Sequence, residues 1–423
     1  MNNKLLPRSS YTTKLKEWLS VDDRVLFLQG ARGSGKTQIM KTVHEELQEE
    51  GIHSYFYSFE ENIFLQSFDS VSAFMEYRSL KRGISPNEEA VLFLDEVQYQ
   101  PNLLSLLLEI RTHPGFVRKV IVSSHILPAD VDRHQLHTLT VHPLSFYEYL
   151  TYLWFHIEYL HLDKYSKVIG HELRQKQQAF LTRGGFPSIT CALGEQEKRR
   201  LREELLEKMI DKDIKFVFTG RDISDFEKTF LFILRNQPLP GKIGYFSKQL
   251  GIPRHRMSKF ISFMIQYNIL VELPVFAPNS RDYITNLPIL IARDTGMVSV
   301  VSENFGEKRH MPSYLVCFVY NELIKTLSST KRTIAYIKKK NGTTVDMFIY
   351  HQEKKKGYAL LLRPKNNAFH PKVISSDSIP AERSVQRIGI SQEYYQPTSD
   401  TDTYRIIPAY MIQSLAHEIA KEV

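Results

Sequence analysis

The chain has 423 residues, 42% hydrophobic and 24% charged, with 55 Lys or Arg against 47 Asp or Glu and a net charge of +8. This is the make-up of a folded protein with room for about two to four domains, and it excludes a wholly disordered chain. Two cysteines, Cys191 and Cys317, exclude a disulfide framework and a four-cysteine zinc site.

The start, MNNKLLPRSS, holds no apolar signal segment, and with the sparse cysteines it leads us to expect a cytoplasmic protein. Residues 12–19 are predicted as a short helix. RVLFLQ at 24–29 is a compact apolar run, followed by GARGSGKT and a helical pattern over 38–50. Residues 53–59 and the AVLFL run at 90–94 read as further strands, 103–111 as a helix, and KVIVS at 119–123 as a fourth strand. Apolar strands alternating with helices predict a parallel sheet covered on both faces. Residues 144–162 are apolar but carry Glu148, His156 and Glu158. We read them as an aromatic core or interface helix, not a membrane span. Residues 145–226 are helical and charged, interrupted by GGFP at 184–187, and 230–272 read as short helices and then an apolar strand. A helix at 313–327 precedes strands at 333–338, 344–350 and 357–362, with Asn341-Gly342 as a hairpin turn signal. Residues 366–402 read as loop-rich.

Gly30-Ala31-Arg32-Gly33-Ser34-Gly35-Lys36-Thr37 matches G-x-x-x-x-G-K-[ST] in full. In such a loop the glycines let main-chain N–H groups point at phosphate oxygens, Lys36 adds charge at the β- and γ-phosphates, and Thr37 is the Mg²⁺ ligand. The loop opens a helix, whose N-terminus favours an anion. Val91-Leu92-Phe93-Leu94-Asp95-Glu96 then places Asp95 at a strand end, where it holds Mg²⁺, and Glu96 beside it to activate water. Ser123-Ser124-His125 ends the fourth strand. Ser124 there either senses the γ-phosphate or simply begins a polar turn. Arg133 is a candidate arginine finger or a solvated surface residue. His113, His125, His134, His137 and His142 crowd this region without a metal-ligand spacing, so no zinc is expected.

GARGSGKT, LFLDEVQ (92–98), VIVSS (120–124), HPLSFYEYL (142–150) and GGFP occur in that order. The set resembles the prokaryotic AAA-like P-loop ATPases that carry a C-terminal domain related to PD-(D/E)xK nucleases. The resemblance implies an α/β fold: a P-loop NTPase parallel sheet at 1–150, a helical lid at 151–228, a winged helix at 229–300 and a restriction-endonuclease-like domain at 301–423. It implies ATP as the nucleotide, with Mg²⁺. Met257, Phe260, Ile261, Met264 and Ile265 have the spacing of a buried helix face. Arg254, His255, Ser258, Lys259 and Ser262 lie opposite, and 246–251 before them gives helix-turn-helix spacing. That face either contacts DNA through Arg254 and Lys259 or serves only packing and protein contact. ILIARDTG at 289–296 is another family-like string.

The nuclease pattern fails in this chain. Val316 stands where the helix acid would fall, Asp346 survives in GTTVDMFIY, and Leu361 and Arg363 replace the Glu and Lys of E-x-K. Glu322 is the alternative acid if the register is shifted. One carboxylate and no lysine cannot assemble such a site, so we expect it to be inactive. Residues 331–365 hold ten Lys or Arg and two acids, with lysine triplets at Lys338–Lys340 and Lys354–Lys356. The whole net charge sits there, either as a solvated hairpin or as a phosphate-binding patch for DNA. The sequence therefore points to an ATPase that couples hydrolysis to movement of C-terminal binding domains. The alternative is a nucleotide-gated DNA- or protein-binding module with little basal hydrolysis. An oligomer is compatible with either.

Overall fold

A computed structural model describes residues 8–21, 25–61, 73, 76–77, 80, 90–99, 119–126, 136–153, 162–276, 287–305, 311–338, 344–351, 353, 356–363, 384–392 and 405–422. The chain forms two compact units. One is Met1–Pro143 with Gln266–Asn268, the other Leu144–Ile265 with Ile269–Val423. The predicted helix at 103–111 and the Asn341-Gly342 turn lie outside the described residues.

In the first unit, β1 (Val25–Gln29), β2 (Ser54–Ser58), β3 (Val91–Asp95), β4 (Lys119–Ser124) and β5 (Leu136–Thr140) form one sheet in the order β2-β3-β4-β1-β5. Every neighbouring pair is parallel. β3 is buried along its whole length, which is why its sequence is apolar from Val91 to Leu94, up to the site residue Asp95. Helix α2 (Lys36–Glu49) buries Ile39, Met40, Val43 and Leu47, one stripe of a 3.6-residue period. With Leu15 and Trp18 of α1 (Ser9–Val21) they close over Leu26, Leu28, Phe93 and Ile121. Each such side chain contributes about 1.5–3 kcal/mol by leaving water. β5 was not predicted. Its sequence, LHTLT, is too polar to read as a buried strand, because at the sheet edge only Leu136 is fully buried. In this parallel sheet the carboxyl ends of β1, β3 and β4 lie along one edge, so Gly30, Asp95 and Ser124 come together there.

The second unit starts at α3 (Phe146–Tyr152). Ser145 Oγ accepts from the Glu148 N–H at 3.1 Å and Glu148 Oε2 accepts from the Ser145 N–H at 2.8 Å, a capping box. The Ser and Glu of the PLSFYE string thus have a local cause. Helices α4 (Leu162–Arg183), α5 (Glu195–Lys208) and α6 (Arg221–Arg235) follow. GGFP and RDTG meet in space. Asp294 accepts from the Gly185 N–H at 2.6 Å, and from Gly296 and Met297 at 2.8 and 3.2 Å. Gly184 sits at φ +80°, and a Cβ there would lie 2.2 Å from Asp294 Oδ1, so only glycine fits.

Helices α7 (Ile243–Leu250) and α8 (Arg254–Gln266) precede a small sheet of β6 (Leu239–Pro240), β7 (Leu270–Leu273) and β8 (Ile289–Ala292), in the order β6-β8-β7 and antiparallel. α8 buries Met257, Phe260, Ile261, Phe263 and Met264. Phe263 joins the predicted face, and Ile265 is only half-buried. The rings of Phe218, Phe226, Phe260 and Phe263 pack with centroids 5.0–5.5 Å apart, offset or edge-on as ring quadrupoles prefer. Helices α9 (Thr295–Asn304) and α10 (Met311–Leu327) lead to a five-stranded sheet, ordered β13-β12-β11-β10-β9: β9 (Arg332–Lys338), β10 (Thr344–His351), β11 (Lys356–Arg363), β12 (Ser384–Ser391) and β13 (Arg405–Pro408). The first three strands pair antiparallel, the last two join parallel, and α11 (Ile412–Lys421) closes the chain. β12 corrects the loop-rich reading of 366–402. Its Gln386 and Arg387 mask a strand that pairs with β11 along eight residues. Among the described residues no helix is long and apolar enough to cross a membrane.

Candidate active site

The loop after β1 turns tightly. Gly33 and Gly35 sit at φ +79° and +99°. A Cβ on Gly30 would lie 2.3 Å from the Val141 carbonyl oxygen, so the backbone can pass there only as glycine. The Ser34 N–H donates to the Ala31 carbonyl at 3.1 Å. Ser34 Oγ is fully buried and has no hydrogen-bond partner among the described residues, an orphan polar atom inside a loop built for an anion. The Arg32 guanidinium turns to Glu60 at 3.2 Å and to Tyr99 Oη at 3.0 Å, so what Arg32 offers a phosphate is its main chain.

Lys36 opens α2 and is buried. Its Nζ donates to the carbonyls of Gly30 and Ala31 at 3.1 and 3.3 Å and lies 3.0 Å from His125 Nδ1. His125 Nδ1 also lies 3.2 Å from the Gly30 carbonyl oxygen, and its Nε2 faces Glu96 Oε2 at 2.8 Å. Glu96 also accepts from Gln98 at 2.6 Å and lies 3.8 Å from Lys36. Burial pushes the Glu96 carboxyl up, but His125, Lys36 and Gln98 outweigh it and hold it well below the usual carboxylate range. Its backbone is at φ +57°, a rare value outside glycine.

Asp95 accepts from Thr37 Oγ1 at 2.8 Å and from Ser123 Oγ. Burial and the neighbouring Glu96 charge push its carboxyl up. A threonine hydroxyl beside a carboxylate is a hard oxygen donor pair, suited to Mg²⁺ with phosphate and water oxygens completing the shell. Ser123 fixes this corner from the other side, since its Oγ also accepts from the Glu96 N–H at 3.1 Å.

The hydroxyl of Ser124 is committed to Gln98 Oε1 and the Ile126 carbonyl, both at 2.9 Å. The side chain at this strand end that reaches Lys36 and Glu96 is His125. Arg133 lies outside the described residues. No sequence motif marks Arg8, which is buried and donates to the main-chain carbonyls of Ser34 at 2.8 Å and His142 at 2.7 Å, pinning the loop from outside. In the second unit, Arg254 is exposed, and Lys259 lies 4.9 Å above the Phe218 ring and 4.0 Å from Asp222. Arg256 pairs with Asp222 and, at 2.7 Å, with Asp225, so part of the basic face of α8 is already neutralised. Of the lysine triplets, Lys338 and Lys356 are described; Lys339, Lys340, Lys354 and Lys355 lie outside the described residues.

Residues 22–150 match the family model of an AAA domain, and residues 174–308 match that of a domain of unknown function (DUF8612). No curated protein matches the chain. Among solved structures, the Orc1 protein of Aeropyrum pernix in complex with DNA is similar at 13% identity and a TM-score of 0.31, over 71% of this chain and 94% of that one. AMPPCP-bound DnaA from Aquifex aeolicus is similar at 14% identity and 0.26, over 61% and 87%. PCH-2 of C. elegans is similar at 12% identity and 0.28, over 71% and 70%.

Proposed function

We propose that the AAA-type P-loop ATPase at residues 22–150 couples Mg²⁺-dependent ATP hydrolysis to movement of the parts that follow it, a helical lid at 151–228, a winged helix at 229–300 and an inactive nuclease-like domain at 301–423. The observation that carries this reading is the meeting of three side chains at one sheet edge: Thr37 2.8 Å from Asp95, with Glu96 next in the chain. Gly30 to Thr37 would wrap the phosphates, Lys36 would leave its carbonyl partners for them, and Thr37 with Asp95 would hold Mg²⁺. That ion supplies charge neutralisation at the phosphates when bound. Glu96, ionised and buried, is the base that would take a proton from water.

Three observations support an inactive nuclease site. Asp346 accepts from the Leu362 N–H at 2.8 Å and from Arg363 at 2.9 Å, so its charge is already answered. Val316 lines the same cavity as Asp346. Glu322 is committed elsewhere, to the Phe146 N–H at 3.1 Å and Lys325 at 2.8 Å.

A second reading, the nucleotide-gated binding module, is favoured by the partners already holding Glu96. A base that faces His125 at 2.8 Å and accepts from Gln98 must be released before it can accept a proton, which predicts slow basal turnover. ATP turnover with and without DNA, in wild type, K36A and E96Q, separates the readings. We expect K36A to lose nucleotide binding, and E96Q to bind while turning over about 10²–10⁴-fold more slowly. Turnover of E96Q at the wild-type rate would remove Glu96 from the role of base. Tight binding with near-zero wild-type turnover, restored by DNA, would favour the gated module.

A further inference from the structure

We propose that a cavity in the second unit, beside Asp346, binds an amphiphilic anion with one acidic head on an apolar body. The cavity measures about 370 Å³. At the ~30 Å³ that a water-sized atom occupies in a liquid, it has room for about a dozen non-hydrogen atoms. That lies within the range of small-molecule sites.

Its walls are apolar: Leu273, Leu287, Ile289, Val316 and Val345 line it, joined by Tyr336. They are also fixed. Tyr336 Oη donates to the Leu287 carbonyl at 2.6 Å. The main chains of Pro274, Phe276 and Tyr336 bond at 2.7–2.8 Å, joining the segment after β7 to β9. Among the described residues, the cavity is walled by strands of two sheets that these bonds tie together.

The charged lining decides the ligand. Three charged residues border the cavity: Lys242, Lys338 and Asp346. Asp346 is answered from behind by Arg363 and the Leu362 N–H. It needs neither a cation nor either lysine. Lys242 and Lys338 make no ion pair among the described residues, whereas nearby Lys331 pairs with Glu353 and Lys356 with Glu422. Two positive charges without an ion pair among the described residues, beside an apolar pocket, disfavour a cation and favour an anionic head over a neutral one. An apolar body carrying an anion satisfies both features. A bare phosphodiester does not, because Val316 and its neighbours would desolvate it without donating a hydrogen bond.

The test is calorimetric titration of the full-length protein, without nucleotide, using decanoate, decanol and decylamine as probes. We expect decanoate to bind with one-to-one stoichiometry and decanol and decylamine to bind at least about tenfold more weakly, the size of one charged hydrogen bond. Lys242 and Lys338 are exposed, so the K242Q/K338Q protein will fold. It should lower decanoate affinity about tenfold, leave decanol unchanged and leave ATP turnover at the wild-type level. V316F should weaken decanoate and decanol alike by filling the cavity. If V316F fails to fold, the lysine pair decides alone. No decanoate binding, equal affinity for decanoate and decanol, or an unaffected lysine double variant would each overturn the proposal. The readout needs no hydrolysis, so a failure here and a failure of the ATPase reading are separate results.

Discussion

Replacing Asp294 by alanine should unfasten the junction of GGFP and RDTG, and the structure gives the size of the effect. Asp294 is the N-cap of α9, and loss of such a cap costs about 0.5–2 kcal/mol. Its Oδ2 also accepts from the buried Gly185 N–H at 2.6 Å, and stranding a buried donor costs about 1–3 kcal/mol more. The sum for D294A is about 1.5–5 kcal/mol. D294N keeps the acceptor that serves Gly296 and Met297 and loses the one for Gly185, so it should cost about 1–3 kcal/mol. Urea unfolding of the three proteins measures both. The pH dependence adds a sign. Burial raises the Asp294 carboxyl above its ordinary 3.8, so the folded state holds this proton more tightly than the unfolded state. The advantage of Asp over Asn is then greatest below the unfolded value, shrinks as pH rises toward the folded value, and stays constant above it. A D294A cost under about 1 kcal/mol, or an Asp-over-Asn advantage that grows with pH, would refute this account.

R8A should weaken nucleotide binding about tenfold by loosening the loop at Ser34, with Glu96 untouched; a fluorescent-nucleotide titration reads it, and unchanged affinity would remove Arg8 from the site. Changing Lys338–Lys340 and Lys354–Lys356 to glutamine should weaken any DNA affinity and flatten its salt dependence while sparing ATP turnover. An unchanged salt slope would remove both triplets from DNA contact.

What was legible in the sequence depended on whether the cause was local. GARGSGKT announced the turn because the backbone there tolerates only glycine at fixed offsets, and the all-apolar run before Asp95 announced a strand buried on both faces. The Ser and Glu of PLSFYE stand inside a family-like string, and they form a capping box three residues apart. β5 and β12 escaped because one lies at a sheet edge and the other carries Gln and Arg among its apolar residues. Arg8 escaped for a different reason. Its guanidinium donates to main-chain carbonyls 26 and 134 residues away, and main-chain acceptors leave no mark on side-chain chemistry. At the end of β4 the sequence pointed to a serine as the polar group near phosphate, and the neighbouring histidine is the one whose ring reaches Lys36 and Glu96.

The backbone of Glu96 bears on how variants of this protein would fare in selection. At φ +57° a side chain is held against a local penalty of about 1–3 kcal/mol, and glycine would relieve it. A library screened for heat resistance should nevertheless keep glutamate at position 96, because the partners that hold its carboxyl ionised stabilise the fold and glycine would leave the buried Lys36 facing no carboxylate there. Screening the same library for turnover should keep the same residue. At this position, robustness and catalysis ask for one carboxylate, and the backbone angle is the cost that both accept.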